Sequence, residues 1–271
     1  MAAAAVPVRL ERDGAAVHPQ LVVPPRRPIT APAAPMIVGD RAVRLVGLGG
    51  PAGGRLLSRV ASNIGAAVEA VEAFWGVDWP REISVVAAGT DDQFRTAAGE
   101  GPDAQWADIA AATVADYVDP AHRVAVGQRI VFAPGAVNMS EPAFRIVLTH
   151  ELFHYAARVD TAMDAPRWLT EGVADFVARP STPKPADALS IALTMPSDAD
   201  LDSPGPQRSL GYDRAWWFAR FVADTYGAAK LRAFYVAVCG SGHADLDSAI
   251  RGVLGTDYGG LFTQWKQWML P

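Results

Sequence analysis

The stretch "LTHELFHYAAR", Leu148 to Arg158, carries two of the chain's five histidines four residues apart, with a glutamate beside the first. On an α-helix, residues i and i+4 stack on one face one turn apart, so the imidazoles of His150 and His154 can reach a single ion. Glu151 projects to the side of that ion rather than onto it. H-E-x-x-H on a helix is therefore the spacing of two metal ligands with a general base. Leu148, Leu152 and Phe153 lie on other sides and can bury the helix, while Tyr155, Ala156 and Ala157 sustain it. The competing reading is a core helix whose histidines are satisfied by neighbouring hydrogen bonds. A third ligand decides between the two.

A catalytic zinc needs three protein ligands, with the fourth position left for water. His18 lies in the N-terminal arm, His122 in a predicted turn, and His243 far downstream in "GSGHAD". The better candidate is in "PRWLTEGVADFVARP". Glu171 follows His154 by 17 residues, long enough for a loop and the start of a second helix. Gly172 leaves room beside the metal. Asp175, four residues after Glu171, shares its helix face and can accept the second N–H of a ligand histidine, which fixes the tautomer. Trp168, Leu169, Val173, Phe176 and Val177 supply packing, and Pro180 ends the helix. The alternative is a surface helix with two solvated acids.

Working outward, the first 35 residues end in "VVPPRRPITAPAAP", whose prolines at 24, 25, 28, 32 and 35 suit an extended arm and not a helix or central strand. "MIVGDRAVRLVG" reads as a hairpin about Gly39-Asp40. Ser62 is placed to cap a helix through "NIGAAVEAVEAFWG", with Val68, Val71, Ala73 and Phe74 inside and Gly76 at its end. "EISVVAAG" reads as a buried strand and "DDQFRTAAG" opens with helix-capping residues. "AATVADYV" and "QRIVFAPG" are two more strands, with "DPAH" as a turn between them. From Ser140 helical periodicity takes over, with Pro142 suited to a first turn. The expected architecture is α+β: an arm over 1–35, then one domain over 36–271. That domain has a small mixed sheet with helices (36–139) followed by a mainly helical half (140–271).

Bulk composition narrows the function. The chain has 271 residues, 50% hydrophobic and 20% charged, with a net charge of −5 and one cysteine. There is no basic patch to favour nucleic acid. A lone Cys239 excludes an intramolecular disulfide framework and a Cys-rich zinc site. The apolar runs fall short of the roughly 20 residues of a spanning helix, and "MAAAAVPVRLERDG" lacks the regions of a signal peptide. "VGLGGPAGG" fits G-x-G-x-x-A through Gly47, Gly49 and Ala52. The acids at dinucleotide spacing, Glu69 and Glu72, lie inside the predicted helix, however, and Pro51 removes a backbone N–H from the loop. It is read as a glycine-rich turn.

With these residues in place, the chain resembles the gluzincins, thermolysin-like zinc metallopeptidases that carry H-E-x-x-H followed by E-x-x-x-D. "HELFH … PRWLTEGVADF" is most similar to the peptidase MA-like proteins of bacteria. The likeness extends from "ISVVAAGTDDQF" and "QRIVFAPG" to "GYDRAWWFARFVADTYG" and the closing "LDSAIRGVLGTDYGGLFTQWKQWM", about residues 60 to 270, with the active-site words alone specific. The resemblance implies a zincin-like fold with its site in the cleft between the two halves. It implies one zinc on His150, His154 and Glu171, with Glu151 as general base and Asp175 behind the ligands. Tyr212 in "SLGYDRAWW", at a helix start, is the first choice for an oxyanion donor and His243 the second. A peptide or protein substrate would pair with an edge strand, "AATVADYV" or "RVAVGQRIVF". Most such proteins are extracytoplasmic or membrane-tethered, which favours the cell envelope, while the lack of a visible signal peptide leaves a cytoplasmic location open. The alternative function is a zinc-binding pseudo-peptidase serving as an envelope binding or scaffold module.

Overall fold

A computed structural model describes residues 34–99, 109–185 and 191–270; the N-terminal arm, apart from its last two residues, lies outside them. Strands β1 (Met36–Val38) and β2 (Arg41–Gly47) form the hairpin at Gly39-Asp40, where Gly39 takes the positive φ of 58° that such a tight turn requires. Helix α1 (Gly50–Trp75) follows, then β3 (Glu82–Ala87), α2 (Asp91–Ala98), β4 (Ala111–Val114), β5 (Tyr117–Asp119), β6 (Val124–Val126) and β7 (Arg129–Phe132). The remainder is helical: α3 (Glu141–Ala157), α4 (Arg167–Ala178), α5 (Asp198–Asp202), α6 (Pro206–Tyr226), α7 (Ala228–Cys239), α8 (Leu246–Ala249) and α9 (Tyr258–Met269). The chain is thus a mixed α/β protein, with a small N-terminal sheet followed by a helical part.

The five-stranded sheet runs β1-β2-β3-β7-β4, with β2, β3 and β7 parallel and the two edge strands antiparallel to their neighbours. Strands β5 and β6 pair separately, joined by the Pro120–His122 turn. Both faces of the larger sheet are covered. Ile83, Val85, Ile130 and Phe132 join the main core with α1 and α3, whereas Val86, Ala112 and Val131 pack with Phe94 of α2. Burial on both sides is why "EISVVA" and "RIVF" read as unbroken apolar runs rather than alternating ones. In the helical part, Phe218 and Phe221 of α6 pack on Trp265 of α9, all fully buried.

Two local expectations are corrected. Helix α1 starts at Gly50, twelve residues before Ser62, because Pro51 sits in a first turn that needs no N–H and Gly53, Leu56, Val60 and Ile64 extend the buried stripe backwards. Ser62 is mid-helix and donates to the Ser58 carbonyl at 3.0 Å. Ala73 faces solvent, and Trp75 takes its place in the core. The helix does therefore open directly from β2 and return to a parallel β3. The glycine-rich loop between them is nevertheless filled by protein. A Cβ on Gly89 would sit 2.1 Å from the Gly49 carbonyl oxygen. Gln93 donates to the Leu48 carbonyl and accepts from the Gly89 amide, each at 2.8 Å. Those contacts occupy the ground a phosphate would need.

Candidate metal centre

Ser140 caps α3, accepting from the Ala143 amide at 3.4 Å, with Pro142 in the first turn. Glu141 is tied to α1 through Asn63 (2.7 Å) and Arg59 (3.0 Å). From Val147 to Ala157 the helix is buried on nearly every side, His154 being the half-open position. Helix α4 begins after Pro166, and its first amides are capped from outside. Asp198 accepts from the amides of Arg167 (3.1 Å) and Trp168 (2.8 Å). These tethers set α4 across α3 so that Glu171 meets the two histidines.

There the Nε2 atoms of His150 and His154 lie 3.1 Å apart. Glu171 Oε2 is 3.2 Å from His150 Nε2, and Glu171 Oε1 is 3.5 Å from His154 Nε2. All three ligand atoms fall within 4.8 Å of one another. His150 donates from Nδ1 to Asp175 Oδ1 at 2.9 Å, which leaves its Nε2 as a lone pair aimed at the centre. Asp175 is held in turn by Arg179 at 2.6 Å, and Arg179 also reaches Asp213 at 2.9 Å. Glu171 Oε2 is buried, and its polar neighbour is His150 Nε2 at 3.2 Å. Two imidazole nitrogens converging with a buried carboxylate form a donor set that accepts a cation, so the residues present suit a metal ion.

Glu151 is fully buried beside this group. The Thr113 hydroxyl of β4 lies 2.8 Å from both Glu151 Oε2 and the Glu151 carbonyl, while Oε1 has no hydrogen-bond partner among the described residues. Burial pushes the Glu151 carboxyl above its usual range, partly offset by the charges of His150 and His154. At Glu171 burial acts in the same direction, but the imidazoles outweigh it and bring the carboxyl down to about 2. For His150 burial opposes charge, yet Asp175 and Glu171 prevail and lift it to about 10. The site without metal is thus a proton-holding cluster.

The structure brings His150, Glu151, His154, Glu171 and Asp175 into one cluster and distributes the remaining candidates elsewhere. A cavity opens onto His154 and Glu171 and is also lined by Thr113, Arg158, Arg167 and Tyr235. Tyr212 does not line it. Helix α6 starts at Pro206, so Tyr212 lies in its second turn rather than opening it. Its buried phenol borders the centre from the Asp175 side, in a groove shared with Asp175 and Arg179. Burial, and after it the Glu171 charge, raise its pKa. His243 sits 3.4 Å from Asp164 and lines no part of the cavity. His122 is exposed and paired with Asp119 at 2.7 Å. Gly172 has a different reason from the one its place beside the ligand indicates. A Cβ there would meet the Ala215 carbonyl oxygen at 2.5 Å, so its missing side chain lets α6 cross closely over α4.

Thr113, Arg158 and Tyr235 escape sequence reasoning. Arg158 alone left a signal, being one helical turn past His154; a threonine on a strand and a tyrosine on a later helix carry no spacing that ties them to H-E-x-x-H. Compared with known proteins, the chain matches no family model and no curated protein. Among the described residues, no helix is long and apolar enough to cross a membrane.

Proposed function

We propose that the chain is a zinc-dependent peptide-bond hydrolase of gluzincin type, with a zincin-like fold and its site in the cleft between sheet and helical half. The carrying observation is the ligand spacing. Zinc bound by nitrogen and oxygen at about 2.0–2.1 Å in a tetrahedron requires ligand atoms about 3.3 Å apart; here the two imidazole nitrogens are 3.1 Å apart, Glu171 approaches His150 through Oε2 at 3.2 Å and His154 through Oε1 at 3.5 Å, and one atom from each residue falls within 4.8 Å of the others. His150, His154 and Glu171 would hold the ion, and Asp175 fixes the His150 tautomer. Zinc bound there supplies Lewis acidity to a carbonyl oxygen and lowers the pKa of water.

The protein's own groups supply the rest. Glu151 is the general base: it takes a proton from the attacking water and hands it to the leaving amine nitrogen. Burial raises its basicity while Thr113 keeps one carboxylate oxygen oriented. Tyr212, the oxyanion donor that the resemblance implies, borders the centre from the Asp175 side and lines a groove other than the one onto which His154 and Glu171 open, so its role in this reading rests on the resemblance. His243, paired with Asp164, is set aside. Of the two stretches considered for substrate pairing, "RVAVGQRIVF" covers β6, in the separate two-stranded sheet, and β7, interior in the larger one, whereas β4 is an edge strand whose Thr113 already reaches Glu151. A peptide laid along β4 would pass over the cluster.

Elemental analysis of purified protein, paired with peptide-library cleavage before and after chelation, tests the reading. One zinc per chain and chelator-sensitive cleavage that returns with zinc are expected. Protein that takes up no zinc at neutral pH would end it.

A further inference from the structure

Arg158 is the first residue beyond α3, one helical turn past His154, and lines the cavity onto which His154 and Glu171 open. Its half-buried guanidinium has no carboxylate partner among the described residues. Nε is buried without a hydrogen-bond partner among the described residues. A terminal nitrogen donates only to the Met163 thioether, at 3.2 Å, which is a weak acceptor. The cavity's other cation, Arg167, is in contrast neutralised by Asp202 at 2.5 Å and Asp198 at 3.9 Å. Burial lowers the Arg158 pKa, and the one opposing influence is the Tyr235 phenol. A buried charge is ordinarily paired, because desolvation is otherwise uncompensated. Here the planar fork stands unclaimed in the wall of the cavity.

Resting on the peptide-hydrolase reading, we propose that Arg158 anchors a carboxylate of the substrate, so that the site takes peptides bearing an anionic group just beyond the scissile bond. The reach is appropriate. One helical turn spans about 5.4 Å, and an extended peptide covers about 3.3–3.6 Å per residue, so a carboxylate on the first or second residue past the reacting carbonyl falls within range. Arginine suits this task because its fork binds a carboxylate through two parallel hydrogen bonds. The carboxylate can be a free C-terminus or an acidic side chain.

The test is a binding titration with three probes: acetyl-tetraalanine with a free C-terminus, its C-terminal amide, and the same amide with aspartate at the third position. Each is titrated into metal-free full-length protein and into zinc-loaded Glu151→Gln, with and without Arg158→Met. At least tenfold tighter binding of one anionic probe over the neutral amide is expected, and the winner identifies the carboxylate's source. Arg158→Met should abolish that preference and leave the amide's affinity unchanged. Should the methionine variant fail to fold, Arg158→Lys retains a cation without the fork and should keep only part of the preference. Equal binding of all three probes, or a preference that survives Arg158→Met, would overturn the proposal. Failure of the hydrolase reading looks different: no probe is cut by the zinc-loaded wild-type chain, while the Arg158-dependent preference of the metal-free protein stands or falls on its own. If the hydrolase reading holds and this proposal fails, the probes are cut with equal efficiency whether or not Arg158 is present.

Discussion

His150 and His154 point their Nε2 atoms at each other across 3.1 Å. With Nδ1 of His150 committed to Asp175, its Nε2 has no hydrogen of its own in the neutral ring, and the short contact to His154 Nε2 needs a hydrogen or a metal cation between the two nitrogens. In the metal-free protein it is a proton, consistent with a His150 pKa lifted to about 10 by its carboxylate neighbours.

Metal binding must therefore expel a proton. Apparent affinity is expected to rise by about one order of magnitude per pH unit between roughly pH 6 and 9. Calorimetry in two buffers of different ionisation enthalpy would show about one proton released per ion. Binding enthalpies identical in both buffers would remove the proton from this picture.

The stability of the metal-free chain should run the other way. A histidine whose pKa is raised on folding contributes fully below its unfolded value of 6.5 and loses that contribution as pH climbs through about 10. Glu171, lowered to about 2, contributes above 4.5 and loses its share as pH falls through about 2. Denaturant melts in chelator should accordingly show these two contributions together at their fullest between about pH 4.5 and 6.5, with stability declining towards pH 10. A chain that gains stability steadily over that alkaline range contradicts the assignment.

Asp175 acts on the metal through His150. Asp175→Ala should weaken metal affinity by about 10- to 100-fold while Arg179 retains Asp213 as a partner at 2.9 Å. Competition against a chromophoric chelator reads this directly. An unchanged affinity would mean that the 2.9 Å contact to His150 does not orient the ring.

Gly172→Ala places a methyl 2.5 Å from the Ala215 backbone, where no flexible side chain can yield. The variant should lose about 1–3 kcal/mol as α4 and α6 separate, and its metal affinity should drop with it because Glu171 is the adjacent residue. A thermal melt and a metal titration on one sample check both. Loss of stability with unaltered metal binding would show that the crossing does not position Glu171.

Thr113→Val keeps shape but deletes the hydroxyl that bonds Glu151. That hydrogen bond lowers the Glu151 pKa. Its removal should move the acidic limb of the pH–rate profile to higher pH, since turnover needs the carboxylate ionised. An acidic limb that stays in place would take Thr113 out of the tuning of the base.

The parts of the centre that sequence made legible are those set by helical periodicity. His150, Glu151 and His154 share a single helix, and Asp175 stands one turn from Glu171, so their relative positions follow from 3.6 residues per turn. The β1–β2 hairpin was legible for the same reason, its Gly-Asp turn being purely local. What escaped depends on tertiary contacts. The start of α1 was hidden because glycine and proline, poor helix formers in general, suit a first turn whose stripe faces the core. Gly172 was misread because Ala215, the group that fills its space, is 43 positions away. Thr113 reaches Glu151 only because β4 occupies the sheet edge beside α3, an arrangement set by five-strand order and not by any local pattern.

The central claim is a metal-dependent hydrolase with Glu151 as its base. The most direct test compares zinc content and peptide cleavage of the wild-type chain with those of Glu151→Gln. The account predicts one zinc per chain in both proteins and a loss of cleavage by about 10²-fold or more in the variant, in line with removing a general base. Cleavage by Glu151→Gln at the wild-type rate, with zinc still bound, would contradict it.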